Sequence, residues 1–235
     1  MHKLKTIAIT QGDSAGIGPE IIAQAFRDQP EQMQGCFVAG DVATLRRGAQ
    51  TIMKLGETCL PVAGIAAPQE AWQVPPRCMP VLQLPDMPPP APWGQVSAEA
   101  GLAAALSVRW AARAALRGEI AALVTAPLHK EALHAAGVHY PGHTELLQAE
   151  SAQFAGVALQ DMPVRMMLAN KQLRTVLVSI HVSLRQAIEA VTQDNILQTL
   201  QITHAGLQRM LGRVPRMGVA GLNPHAGEGG LFGSE

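Results

Sequence analysis

Aromatic side chains are scarce, at 3% of 235 residues, which leaves no stacking platform for single-stranded nucleic acid. Lys+Arg and Asp+Glu number 18 each, so the basic excess that nucleic-acid binders carry is missing too. Cysteine occurs three times, at Cys36, Cys59 and Cys78, without CxxC spacing. Neither a disulfide framework nor a zinc ribbon is indicated, and a reducing, cytoplasmic setting is the natural expectation. No apolar run approaches the ~18 residues of a membrane span, and Ile7-Ala8-Ile9 is too short for the core of a signal peptide. What is present instead is a 48% hydrophobic content, which excludes a disordered chain and suits a sizeable buried core.

Short apolar runs rich in β-branched residues alternate with longer helical patterns. Residues 6–10 and 36–40 read as strands; residues 19–28 read as a helix opened by Pro19, and Asp41 reads as the N-cap of the helix after the second strand. Eight prolines between Pro75 and Pro92 predict an extended surface connection with no regular structure and no chemistry. Ser97 is placed to cap a helix over 97–117, on which Arg109, Arg113 and Arg117 recur every four residues as a solvated stripe. Further strands are predicted at 120–125, 164–168, 175–180 and 217–221, a turn at Asn170-Lys171, and a helix at 194–211. Strands alternating with helices argue for βαβ units and a largely parallel sheet.

Four segments that follow predicted strands concentrate the chemistry, where open α/β sheets bind ligands. The first, QGDSAGIGPE (11–20), has glycines for close backbone approach and a helix start able to hold an anion, or is simply a tight turn. It is neither a GxGxxG fingerprint nor a P-loop, since the P-loop lysine is missing. The second, TAPLHKEALHAAGVHYPGHTE (125–145), holds four of the eight histidines. His139 and His143 have the i, i+4 spacing of a helical metal pair, but Pro141-Gly142 between them forbids that helix. The better reading is a loop presenting His143-Thr144-Glu145 at the start of the next helix. The third, SIHVS (179–183), places His181 at a strand end, either as a ligand or as a satisfied core histidine. The fourth, GLNPHAGEGGLFG (221–233), has five glycines that let His225 and Glu228 converge on a ligand. His181 and His225 can then be two arms of one metal site, still short of the three protein ligands zinc normally takes.

Taken together, QGDSAGIGPEI, the TAPLHKEALHAAGVHYPGHTELL block, SIHVSL and GLNPHAGEGG resemble the 4-hydroxythreonine-4-phosphate dehydrogenase family of vitamin B6 biosynthesis. They occur in family order over essentially the whole chain; Ser14 stands where the family pattern usually has proline. The resemblance implies an α/β fold similar to the isocitrate and isopropylmalate dehydrogenases, with two-domain α/β/α architecture. It further implies NAD- or NADP-dependent oxidation of 4-phosphohydroxy-L-threonine, assisted by a divalent metal (Zn, Mg or Co). The product, 2-amino-3-oxo-4-phosphooxybutanoate, then decarboxylates to 3-amino-2-oxopropyl phosphate. His143 and Thr144 match the family's substrate-binding pair, and His181 and His225 match two of its three metal-binding histidines. The implied partners are a small phosphorylated substrate and a second copy, with the metal site shared across a homodimer; neither nucleic acid nor membrane is implied.

Family members continue past the GLNPHAGEGG loop into a YHDQG-like segment that carries the third metal histidine, whereas this sequence ends at Glu235. The expectation is an architecture incomplete at its C-terminus, with a first region at 1–126, a second at 127–235, and little activity in isolation. The alternatives are an inactive remnant and a paralogue acting on another phosphorylated hydroxy acid or diol.

Overall fold

The computed structural model of the chain describes residues 5–53, 56 and 58–234. By its contacts the chain divides into two units, Met1–Met162 and Pro163–Glu235, a later division than the break after residue 126 read from the sequence.

In the first unit, strands β1 (Ile7–Thr10), β2 (Cys36–Gly40), β3 (Val62–Ile65), β4 (Met79–Gln83) and β5 (Ala122–Thr125) form one sheet in the order β3-β4-β2-β1-β5. Every neighbouring pair is parallel. The side-chain period of two divides each strand between two apolar layers. Ile9, Val38 and Val81 meet Ile22, Phe26 and Leu45 of helices α1 (Gly18–Asp28) and α2 (Val42–Thr51) on one face. Ala8, Phe37 and Leu82 meet Ala111 and Ala114 of helix α3 (Ala98–Leu116) on the other, where the Phe37 and Trp110 rings stand edge-on at 5.9 Å. The α/β fold around a parallel central sheet is as expected. So are two of its local signals: Asp41 Oδ2 accepts from Thr44 N at 2.7 Å, and Ser97 Oγ from Ala100 N at 3.1 Å, each supplying a bond the first helical turn lacks.

Helix α3 holds the rest of the unit together. Its stripe of alanines admits α4 (Lys130–Ala135) so closely that a Cβ on Gly101 would collide with the Ala132 carbonyl. Helix α5 (His143–Ala155) packs on α3 as well, which is why the segment up to Met162 belongs with the sheet. The arginine stripe is exposed at Arg113 and Arg117, as a solvated face would be, and it also carries ion pairs. Arg113 Nε donates to Glu150 Oε2 of α5 at 2.6 Å and Arg109 Nε lies 3.5 Å from Glu150 Oε1, while Arg117 pairs with Glu119.

The proline-rich stretch also differs from expectation, because β4 runs through it as an interior strand. Met79 N donates to Pro61 O towards β3, and Leu84 N donates to Gly40 O towards β2. By alternation, Pro80 turns its missing N–H towards β2, and the ladder to β2 begins only at Val81 opposite Val38. The proline therefore costs only the first bond of this ladder, at the start of the strand, a position where a sheet accepts it.

In the second unit, strands β6 (Met167–Ala169) and β7 (Arg174–Val176) make an antiparallel hairpin. Asn170 Oδ1 closes its turn by accepting from Gln172 N and Leu173 N, as the Asn-Lys turn predicts. Helix α6 (Leu184–Glu189) has a complete capping box between Ser183 and Gln186, and helix α7 (Gln193–Leu211) is capped by Thr192. Residues 217–221 form no strand, and β7 stops at Val176 instead of running on to residue 180. Both segments have strand-like composition, but beyond Val176 the hairpin continues only through Leu177 N, which donates to Met166 O at 3.1 Å, and residues 217–221 have no hydrogen-bonded neighbour among the described residues; a strand exists only as part of a ladder.

Candidate functional site

The strand order puts the first unit's chemistry at one edge. β2 and β5 flank β1 on opposite sides, so β1 and β5 adjoin where the strand order reverses, the place outside the carboxyl ends at which open α/β sheets form their ligand crevice. Residues 11–13 after β1 and residues 126–127 after β5 meet in it. Asp13 N donates to Pro127 O at 2.9 Å. Gly12 has φ 69°, and a Cβ there would collide with the same Pro127 carbonyl, so this position requires glycine for both its conformation and its space. Asp13 Oδ1 accepts from Ala15 N at 2.8 Å, and Gln11 Oε1 accepts from Asp41 N at 2.6 Å. The QGDSAG turn is thus braced by its own side chains.

A second brace comes from the proline-rich stretch. Arg47 of α2 donates to Ala91 O at 2.7 Å and to Ser14 O at 2.6 Å, and its guanidinium lies 4.0 Å from the centre of the Trp93 ring. Gly94 N donates to Ala15 O at 2.8 Å. Burial pulls the Arg47 pKa down, an effect that Asp41 opposes. No sequence signal pointed to Arg47, because its partners are backbone carbonyls far along the chain.

His143 and Thr144 open α5 beside this crevice, where the sequence placed a helix start. The N-cap, Gly142, is extended and offers no side-chain cap, so the first-turn N–H groups are not taken by a capping side chain and the positive end of a 13-residue helix points outward. Burial lowers the His143 imidazole pKa, opposed by a hydrogen bond with the Ala126 backbone. Its Nε2 is covered and has no hydrogen-bond partner among the described residues, as is also true of Gln11 Nε2 and Ser14 Oγ. Buried polar atoms without partners are rare in folded proteins, and a polar ligand in the crevice would satisfy them.

In the second unit, His181 and His225 are both exposed, and both have left-handed backbones, with φ 56° and 54°. Ala226 and Glu228 share that conformation. A non-glycine residue held there costs about 1–2 kcal/mol, and such strain is kept where a loop has a task. His225 lies against the Phe232 ring, with centroids 5.9 Å apart. Among the described residues, no three His, Cys, Asp or Glu side chains gather as a metal site would require. The chain offers imidazoles of the right chemistry, but two of them do not make a closed set. Among the described residues, no helix is long and apolar enough to cross a membrane.

Residues 32–235 match the family model described as pyridoxal phosphate biosynthetic protein PdxA. The chain is 43% identical to a 4-hydroxythreonine-4-phosphate dehydrogenase of Beijerinckia indica, the match covering 97% of this chain and 64% of that protein. It is 40% identical to a D-threonate 4-phosphate dehydrogenase of Salmonella typhimurium, over 98% of this chain and 67% of the relative. It also superposes on a crystal structure of 4-hydroxythreonine-4-phosphate dehydrogenase from Klebsiella pneumoniae with TM-score 0.85 and 38% identity, covering 98% of this chain and 67% of that one. The chain thus spans about two thirds of the length of the relatives it matches. With four-fifths or more of its own residues inside each of these matches, the chain belongs to the pyridoxal phosphate biosynthetic protein PdxA family.

Proposed function

We propose that the chain is part of an NAD- or NADP-dependent dehydrogenase that oxidises 4-phosphohydroxy-L-threonine in pyridoxal phosphate biosynthesis. The observation that carries the reading is His143 Nε2, which is buried without a partner among the described residues at the β1/β5 edge, beside the Ala126 backbone, where His143 and Thr144 start an uncapped helix. An anionic substrate group has there the helix's free N–H groups and the Thr144 hydroxyl as donors. Burial favours the neutral His143 ring, which can donate one hydrogen bond while its other nitrogen accepts one. The QGDSAG turn, braced by Arg47, walls the crevice and keeps its backbone in place.

His181 and His225 would contribute two imidazoles to a divalent cation (Zn, Mg or Co), in a site shared across a cytoplasmic homodimer; no catalytic step is assigned to them. When bound, the cation supplies Lewis acidity at the substrate hydroxyl and the nicotinamide accepts the hydride. The product would be 2-amino-3-oxo-4-phosphooxybutanoate, which loses CO₂ to give 3-amino-2-oxopropyl phosphate.

A second substrate is favoured by a specific observation: the D-threonate 4-phosphate dehydrogenase is about as similar, at 40%, as the 4-hydroxythreonine-4-phosphate enzyme at 43%. By their names, both substrates are four-carbon acids phosphorylated at position 4, differing in amino against hydroxyl substitution. The test is nicotinamide reduction by the full-length protein with each substrate in turn. Turnover with 4-phosphohydroxy-L-threonine, together with a raised KM in Thr144→Val, supports the reading. Turnover with D-threonate 4-phosphate alone selects the second substrate, and reduction with neither overturns both.

A further inference from the structure

Helix α5 carries one charged residue on the face it buries. His143, Leu146 and Glu150 follow at spacings of three and four, which aligns them along one side of the helix. Leu146 is fully buried and Glu150 is 6% exposed. Its carboxylate is held from α3 on both oxygens: Arg113 Nε donates to Oε2 at 2.6 Å, Arg113 Nη2 donates to Oε1 at 3.3 Å, and Arg109 Nε lies 3.5 Å from Oε1. Helix α3 is in turn fixed against the sheet and α4 by its buried alanines and Gly101.

Buried ion pairs add little net stability compared with apolar packing, and their best-attested use is to set register. An apolar contact permits α5 to slide along α3, whereas a forked guanidinium–carboxylate contact has a fixed length and direction. From these contacts we infer that Glu150, clamped by Arg113 and Arg109, is a positioning residue that sets where α5 stops along α3 and hence where His143 stands in the crevice. The inference rests on the assignment of His143 and Thr144 to the phosphorylated substrate. Glu150 lies about 10 Å from His143 along the helix and acts only through it. The depressed His143 pKa is consistent with a ring held at a particular depth.

Two variants test this. Glu150→Gln keeps the shape and removes the charge; Arg113→Met removes the fork from the more exposed partner, which is less demanding of the fold. In the full-length protein each is expected to raise KM for the phosphorylated substrate about tenfold while kcat stays within about twofold. The double variant is expected to be no worse than the more affected single one, because both remove the same contact. Independently of substrate, the His143 ring-proton titration, identified by comparison with His143→Gln, is expected to move up towards the ordinary imidazole value as α5 slips and the ring meets water. A lowered melting temperature with KM and the His143 titration unchanged would overturn the inference and leave Glu150 a purely structural residue. If the wild type oxidises no phosphorylated substrate, the functional reading fails, and the titration alone decides the positioning role: a shift upholds it and no shift rejects it.

Discussion

Helices α3 and α7 have the same length, 19 residues, and start the same way, on a hydroxyl that accepts from the backbone three residues on: Ser97 from Ala100 and Thr192 from Asn195. Ten residues of α3 are buried, but only Thr199 and Leu207 of α7 are. Each helix is about 28 Å long. α3 has the sheet on one side and α4 and α5 alongside it, whereas the second unit offers α7 a hairpin of three-residue strands about 10 Å in length. Caps and periodicity make a helix, and its neighbours decide whether it is a core element. The second unit accordingly displays Leu184 at 80% exposure and Leu197 at 52%, although its local signals are as good as those of the first.

Three measurements would break or sharpen that contrast. The largest effect is expected from Phe37→Ala, at a fully buried position between sheet and α3, which should lower the unfolding free energy by about 3–5 kcal/mol. Leu197→Ala on α7 should change it by no more than about 0.5 kcal/mol. Urea denaturation followed by circular dichroism measures both, and comparable losses would mean that α7 is a core helix after all. A smaller difference, of opposite sign, is expected from two helix glycines. Gly101→Ala meets the Ala132 carbonyl and should destabilise by about 1–3 kcal/mol. Gly206→Ala meets nothing within 4 Å and should stabilise by about 0.5–1 kcal/mol through helix propensity.

The smallest effect concerns pH. Because burial lowers the His143 pKa in the folded chain, the unfolded chain takes up the proton first, and folding stability rises with pH. The contribution is complete above the ordinary imidazole value of about 6.5 and is lost as pH falls from there through the lower folded-state value. His143→Gln should flatten that part of the stability curve measured between about pH 5 and 8; an unchanged slope would mean that the ring is no more buried than in the unfolded chain.

Much of the first unit was legible in the sequence, because its signals are local and agree with one another. β1, β2 and β5, the Asp41 and Ser97 caps and the helix starting at His143 all follow from short patterns. Three features were not legible, for three different reasons. β4 hides among prolines because their cost depends on which way one missing N–H faces. The arginines of α3 pair with Glu150, 37 residues beyond Arg113 in the chain, and no periodicity announces such a partner. The run at 217–221 has strand composition, but a strand requires a neighbour and composition cannot supply one. Of the site, His143 and Thr144 were visible as a polar pair after Pro141-Gly142, whereas Arg47 was not, because a bond to a carbonyl leaves no trace in residue identity.

Arg47 has a consequence that reaches evolution as much as binding. By holding Ser14 and Ala91 with one guanidinium, and stacking on Trp93, it makes residues 91–94 a strap across the turn that walls the crevice. A turn ordered before any ligand arrives has little freedom left to lose on binding, where each newly immobilised side chain costs about 0.5–1.5 kcal/mol. Surface connections ordinarily lengthen and shorten freely, since loop closure depends only weakly on length. This one ends in a strap, so a residue inserted between β4 and Trp93 would slacken the crevice wall while the sheet and its helices stayed folded. Drift in the length of the proline-rich stretch would therefore be limited by how firmly the QGDSAG turn must be held, without any change in the turn's own residues.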